Sequence, residues 1–140
     1  MMLDGSVHNF ATRIYYEDTD AGGIVYYANY LKFAERARTE MLRDLGYDHS
    51  RMTRDHGLMF AVRRCEADYR RPARLDDLLT IRTRVSDLRG ASMAMEQQIM
   101  RDDELLVTVK VKLACIDQDG RPGRIPAEIL ERVQPHLKNC

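Results

Sequence analysis

Neither sign of charge dominates this chain: 22 lysines and arginines stand against 22 aspartates and glutamates, for a formal net charge of +0. That balance removes any global electrostatic case for binding nucleic acid or an anionic membrane. Near-neutral chains also tend to self-associate, which agrees with an oligomer. Long apolar runs are missing as well. No segment approaches the roughly 20 apolar residues that span a bilayer. Met1-Met2-Leu3-Asp4-Gly5 has no basic region ahead of an apolar run, so no signal peptide is expected. Cysteine is scarce. Cys65, Cys115 and Cys140 are odd in number and widely spaced, with neither metal-ligand spacing nor a disulfide framework. A reducing, cytoplasmic setting is expected, with Cys65 and Cys115 as small buried residues in strands. GxGxxG and GxxxxGK patterns are absent, which argues against phosphate binding by either route. His8, His49, His56 and His136 are scattered and assemble no Ser/His/Asp or Cys/His motif.

What is present is an apolar fraction of 44% and a charged fraction of 31% in 140 residues, without internal repeat or linker. One globular domain over 1–140 is expected. Val7 to Tyr16 reads as a first strand, with Phe10, Thr12, Ile14 and Tyr16 on one face. A helix follows from about 25–29 to Leu45. Its stripe is Tyr30, Phe33, Ala34, Ala37, Met41 and Leu45, and Gly46 ends it. The two alanines would let it approach a sheet closely. Asp48 to His56 reads as a short polar connection of at most one helical turn.

Leu58, Phe60 and Val62 then alternate in one phase and Cys65, Ala67 and Tyr69 in the other, the signature of a β-bulge. Leu79 to Val85, Met93 to Met100 and Leu105 to Cys115 complete four strands expected in consecutive hairpins. In the last, Leu105, Val107, Val109, Val111, Leu113 and Cys115 share one face. Lys110 and Lys112 are assigned to the solvent side. Pro126 suits the start of a final helix. The implied class is α+β, with a mostly antiparallel sheet around one long helix.

The most informative stretch is Tyr15 to Tyr30. Glu17, Asp18 and Asp20 are followed at once by Gly22-Gly23, and the long helix then begins. A carboxylate beside main-chain amides at a helix start is equipment for acyl transfer: one group attacks or activates water, the other stabilises the oxyanion. The three acids could also hold a hard cation, but their spacing is not that of a calcium loop. No metal or other cofactor is expected, and Asp18 is assigned to bonding loop amides.

These residues carry a family resemblance. Tyr16-Glu17-Asp18-Thr19-Asp20-Ala21-Gly22-Gly23-Ile24-Val25-Tyr26 and Glu35-Arg36-Ala37-Arg38-Thr39-Glu40-Met41-Leu42 form its core, continued by Glu66-Ala67-Asp68-Tyr69, Arg71-Pro72-Ala73 and Leu75-Asp76-Asp77. The chain resembles the hotdog-fold acyl-CoA thioesterases of the 4-hydroxybenzoyl-CoA thioesterase type, within them the YbgC branch. The resemblance implies a five-stranded antiparallel sheet wrapped around a long central helix. It also implies a homodimer joined sheet edge to sheet edge, or a homotetramer of two such dimers, with active sites at the subunit interface. The reaction implied is metal-free hydrolysis of acyl-CoA, or of an acyl carrier protein thioester. A link to the Tol-Pal envelope system follows from resemblance alone.

By the same mapping Asp20 is the catalytic carboxylate, as nucleophile or general base. The Tyr27 N–H is the oxyanion donor, Gly23 shapes the loop, and Tyr26 and Arg89 meet substrate. Two departures stand out. Many sequences of the branch have histidine where Tyr27 stands, and tyrosine, with a pKa near 10, is no base at neutral pH. The turn after the third strand has only Arg89, where the benzoyl branch has a basic cluster. Arg63, Arg64, Arg70, Arg71, Arg74, Lys110 and Lys112 are the other candidates for CoA phosphates. Two rival functions share the fold: a hotdog hydratase or dehydratase, for which this loop lacks the histidine, and a non-catalytic acyl-CoA or acyl-carrier binding protein or scaffold.

Overall fold

A computed structural model describes residues 3–4, 7–47 and 49–137. Met1, Met2, Gly5, Asp48 and Cys140 lie outside the described residues. The strands are β1 (Leu3–Asp4), β2 (Val7–Arg13), β3 (Leu58–Tyr69), β4 (Leu78–Leu88), β5 (Ser92–Arg101) and β6 (Glu104–Asp117). The helices are α1 (Asn29–Asp44), α2 (His49–His56) and α3 (Ala127–Val133). All strand pairs are antiparallel, in the order β1-β2-β4-β5-β6-β3. The five long strands expected are present, and β1 adds two residues beyond β2.

The sheet wraps α1, giving the hotdog layer. Phe33, Ala34 and Ala37 pack with Leu79, Ile81, Ile99 and Val107 in one cluster. Met41 packs with Met93, Met95, Val111, Cys115 and Ile129 in the other. Ala34 and Ala37 are fully buried, so the small residues do bring the helix onto the sheet. The helix ends as expected at Gly46, whose φ is +91°. The Tyr47 N–H donates to Leu42 O at 2.9 Å and the Gly46 N–H to Arg43 O at 2.9 Å, a Schellman ending.

Pairing order departs from the expected run of hairpins. β4, β5 and β6 follow one another, but β3 pairs with β6 and lies at the sheet edge. β6, with its continuous alternation of buried residues, is the strand that accepts neighbours on both sides. The bulge in β3 is present, between Val62 and Arg64. As an edge strand β3 leaves Cys65 exposed, against expectation, while Cys115 is buried. In β6 it is Leu106 rather than Leu105 that is fully buried, because the register slips between Ile99 and Met100. Tyr16 is 82% exposed, since the chain leaves the sheet after Arg13 for a 3₁₀ turn at Tyr16–Asp18. The polar connection is an eight-residue helix, α2. Met52 anchors it in the core, and His56 Nε2 meets Glu128 Oε1 at 2.6 Å. Among the described residues no helix is long and apolar enough to cross a membrane.

Candidate functional site

The acidic stretch folds into a tight hairpin. The Asp20 N–H donates to Ile24 O at 2.9 Å, and the Gly23 N–H donates to Asp20 O at 3.0 Å. Gly23 has φ +78°, the left-handed region where a side chain adds strain. Asp20 Oδ1 accepts the Gly22 N–H at 2.9 Å. Its carboxylate is otherwise exposed to solvent. Asp18 bonds a loop amide as expected, accepting the Tyr15 N–H at 2.9 Å.

The hairpin is tied to the start of α1 by a few bonds. Asp18 O accepts the Tyr26 N–H at 3.1 Å and Asn29 Nδ2 at 2.9 Å. Ala73 does the same from the other side. Its carbonyl accepts the Val25 N–H at 2.9 Å, and its N–H donates to the Tyr30 hydroxyl at 2.9 Å. With these bonds made, the Tyr27 N–H has no acceptor among the described residues. It lies two residues before α1, where backbone dipoles leave partial positive charge.

Beside it is a cleft of about 300 Å³ whose walls include Ile24, Tyr27, Tyr30, Tyr69, Arg71 and Pro72. The Tyr69 ring centroid is 5.8 Å from that of Tyr30 and 6.0 Å from that of Tyr27. Burial pushes the Tyr30 and Tyr69 phenols above their ordinary range, so both stay protonated at neutral pH. Tyr26 packs its half-exposed ring on Tyr27, at 4.9 Å between centroids. Asp20 itself does not line this cleft; it stands on the hairpin whose return strand, Ile24-Val25, forms one wall.

Arg89 is not brought to this place. The hairpin adjoins the loop that enters β4, through the Ile24–Arg74 bridge, whereas Arg89 follows the other end of that strand. Eleven residues separate the ends, on the order of 35 Å of extended chain. Arg89 Nε pairs with Asp87 Oδ2 at 2.8 Å. Arg124 joins it there, since the Ile125 N–H donates to Gly90 O at 2.8 Å. The cations that do border the cleft are Arg70 and Arg71. Arg70 pairs with Asp68 at 3.1 Å and Arg71 with Glu104 at 2.5 Å.

Several supporting residues were given no role at the site from sequence: Asn29, Tyr30, Ala73, and the group Asp77, Arg101 and Glu104. Arg101 bonds Asp77 at 2.7 Å and also Glu104. Asp77 Oδ2 accepts the Arg74 N–H at 2.8 Å. Together they hold the 70–77 loop that carries Ala73. Ala73 and Asp77 stand in the blocks that carry the family resemblance, Tyr30 stands in the apolar stripe of the helix, and Arg101 and Glu104 are opposite charges flanking a two-residue turn.

The model of the thioesterase-like superfamily matches residues 15–133. The chain belongs to that superfamily. A curated relative, the acyl-CoA thioesterase YbgC of Haemophilus influenzae, is 45% identical over 138 residues, covering 98% of this chain and all of that protein. A probable thioesterase from Bartonella henselae is 46% identical with a TM-score of 0.81, over 86% of this chain and 99% of that one. A 4-hydroxybenzoyl-CoA thioesterase solved with 4-hydroxybenzoyl-CoA has a TM-score of 0.85 over 91% of this chain and 99% of that one. At 22% identity that likeness speaks for the fold. The thioesterase match thus spans the Asp20 hairpin, α1 and the 70–77 loop together.

Proposed function

We propose that this thioesterase-superfamily chain hydrolyses acyl-CoA thioesters to free acid and CoA, with Asp20 as the catalytic carboxylate. Either the carboxylate attacks the thioester carbonyl, giving a mixed anhydride that water opens, or it takes a proton from the water that attacks. Both routes release CoA as a thiol and consume one water. The Tyr27 N–H stabilises the oxyanion, Gly23 sets the hairpin, and Tyr26 and Tyr27 flank the acyl group. The observation that carries this is the unengaged Tyr27 amide, fixed a few residues beyond Asp20 by the Asp18 and Ala73 bonds.

The working unit is at least a homodimer. β3 is a 12-residue edge strand, and its Met59, Val62 and Tyr69 are 49%, 53% and 43% exposed. A long edge strand that exposes apolar side chains invites pairing, and antiparallel pairing with a second copy satisfies two-fold symmetry. Tyr69 belongs both to that edge and to the cleft, so the pairing would place a second subunit against the site. Arg70 and Arg71 are the candidates at the cleft for CoA phosphate, while Arg89 could reach it only from another subunit.

The test is release of free thiol from a panel of acyl-CoAs, repeated with acyl carrier protein thioesters. Release by the native protein that is lost in Asp20→Ala is expected. Binding of acyl-CoA without release, or release unchanged in Asp20→Ala, overturns the assignment.

A further inference from the structure

Ala73 is fully buried, and the peptide groups on either side of it are bonded at both ends. In the group that joins Pro72 to Ala73, the Ala73 N–H donates to the Tyr30 hydroxyl at 2.9 Å. The oxygen of that same group, Pro72 O, accepts Arg101 Nη1 at 3.4 Å. In the group that joins Ala73 to Arg74, Ala73 O accepts the Val25 N–H at 2.9 Å. Its other end, the Arg74 N–H, donates to Asp77 Oδ2 at 2.8 Å. Arg101 Nη1 donates to that oxygen too, at 2.7 Å. One guanidinium therefore governs the outer ends of both groups, while their inner ends hold the hairpin and the first turn of α1. Hydrogen bonds in series polarise one another, so a loss at the outer end weakens the inner bonds.

The placement of Arg101 suits this task. It is carried by the end of β5, an inner strand of the sheet, so the loop is anchored to the sheet and not to another loop. Its side chain is 28% exposed, against 65% for Arg71, and a less exposed ion pair is screened less by water and salt. The second nitrogen, Nη2, donates to Glu104 across the β5–β6 turn and fixes the guanidinium from the far side. Neither Arg101 nor Asp77 belongs to the edge strand β3, and neither lines the cleft beside Tyr27.

We propose that Arg101 is a positioning residue for thioester hydrolysis. It fixes the two Ala73 peptide groups and, through Val25 and Tyr30, the Tyr27 amide that lies between them in the chain, without touching substrate. The effect on rate rests on the proposed hydrolysis, whereas the fixing of the amides does not. Displacing a reacting group by about 1 Å can cost on the order of 10² in rate, and an oxyanion donor works only where it is held in place before charge develops.

The test measures thiol release and amide hydrogen exchange on the full-length protein. In Arg101→Gln, kcat should fall at least about tenfold with KM within about threefold of native, because the cleft walls are kept. Exchange of the Val25 and Ala73 N–H groups should quicken at least about tenfold, while amides in the middle of β6 keep their native rates. Arg101→Lys separates geometry from charge. Lysine keeps the positive charge but, as a point charge, cannot bond both carboxylates and Pro72 O together, so kcat should still fall at least about threefold and exchange quicken likewise. Tyr30→Phe removes the acceptor of the Ala73 N–H. In that background Arg101→Gln should cost at least about threefold less in kcat than it does alone. Arg132→Gln loses the bond to Leu45 O at the other end of α1; it controls for general loosening and should keep native kcat. Native kcat in Arg101→Lys, independent effects of Arg101→Gln and Tyr30→Phe, or native exchange at Val25 and Ala73 in Arg101→Gln each overturn the proposal. So does an equal fall of kcat in Arg132→Gln. If Arg101→Gln does not fold, Arg101→Lys decides by the same two readouts. Native protein that releases no thiol counts against the hydrolysis alone, and the exchange contrast then decides whether Arg101 fixes the amides.

Discussion

Replacing Asp20 by asparagine removes one negative charge and leaves the shape of the hairpin. The side chain is exposed, and its one hydrogen bond among the described residues is acceptance of the Gly22 N–H at 2.9 Å by Oδ1. Asparagine keeps an oxygen in that place. The structural loss is the charge assistance of one exposed hydrogen bond, at most about 1 kcal/mol. For a domain of this size that lowers the melting temperature by about 3–5 °C. The chemical loss is of another order. A general base contributes about 10²–10⁴ in rate, so kcat/KM should fall at least about 100-fold, or roughly 2.7 kcal/mol of transition-state stabilisation. Thiol release and thermal unfolding, measured on one preparation, compare the two directly. The catalytic role of Asp20 is wrong if the variant keeps turnover within about threefold of native. A melting temperature lower by more than about 10 °C would make the residue structural instead.

Other perturbations test neighbouring steps. Gly23→Ala meets no atom within 4 Å but forces alanine to φ +78°, so it should cost about 1 kcal/mol, read as a drop in melting temperature; no drop would mean the hairpin is freely remodelled. Val62→Asp puts a charge on a 53% exposed position of the β3 edge, and sedimentation should show the proposed dimer dissociating at least about tenfold more readily, with thiol release falling in step. Burial alone would raise the Asp77 carboxyl, but the Arg74 N–H and the Arg101 guanidinium outweigh it and hold the group below its ordinary range. With a folded value below the unfolded one, Asp77 stabilises the protein above about pH 4 and loses that contribution as pH falls further. The urea midpoint should therefore drop as pH falls below about 4 in the native protein and less in Asp77→Asn; parallel curves would refute the coupling.

The elements of this fold were largely legible because each announces itself locally. The spacing of Phe33, Ala34, Ala37 and Met41, the Gly46 stop and the phase change beyond Val62 all reappear in the structure. Pairing order was not legible, because alternation along a strand says nothing about its partner. β3 and β6 pair at separations from 38 residues (Tyr69 with Val107) upward, and no turn joins them. The burial errors follow from the same gap. Cys65 is exposed because its strand is an edge, and Leu106 replaces Leu105 inside because a bulge sits opposite Met100. α2 escaped notice because one apolar residue, Met52, anchors an otherwise polar helix.

The candidate site divides along the same line. Asp20, Gly23, Tyr26 and Tyr27 fall within eight residues of one another, so the loop and helix start that carry them could be read from the motif. What fixes them cannot be. A single peptide unit at Ala73 takes the Val25 N–H on its oxygen and gives its own N–H to Tyr30, clamping hairpin and helix start together. Ala73 has no side-chain chemistry to betray this role. The loop that carries it runs from the end of β3 to the start of β4 and is pinned by Arg101 and Asp77. Any force on β3 is therefore passed through a few residues to the hairpin. A second copy pairing along β3 would act on the Tyr27 amide and the Asp20 carboxylate through Ala73, so assembly and catalysis should rise and fall together.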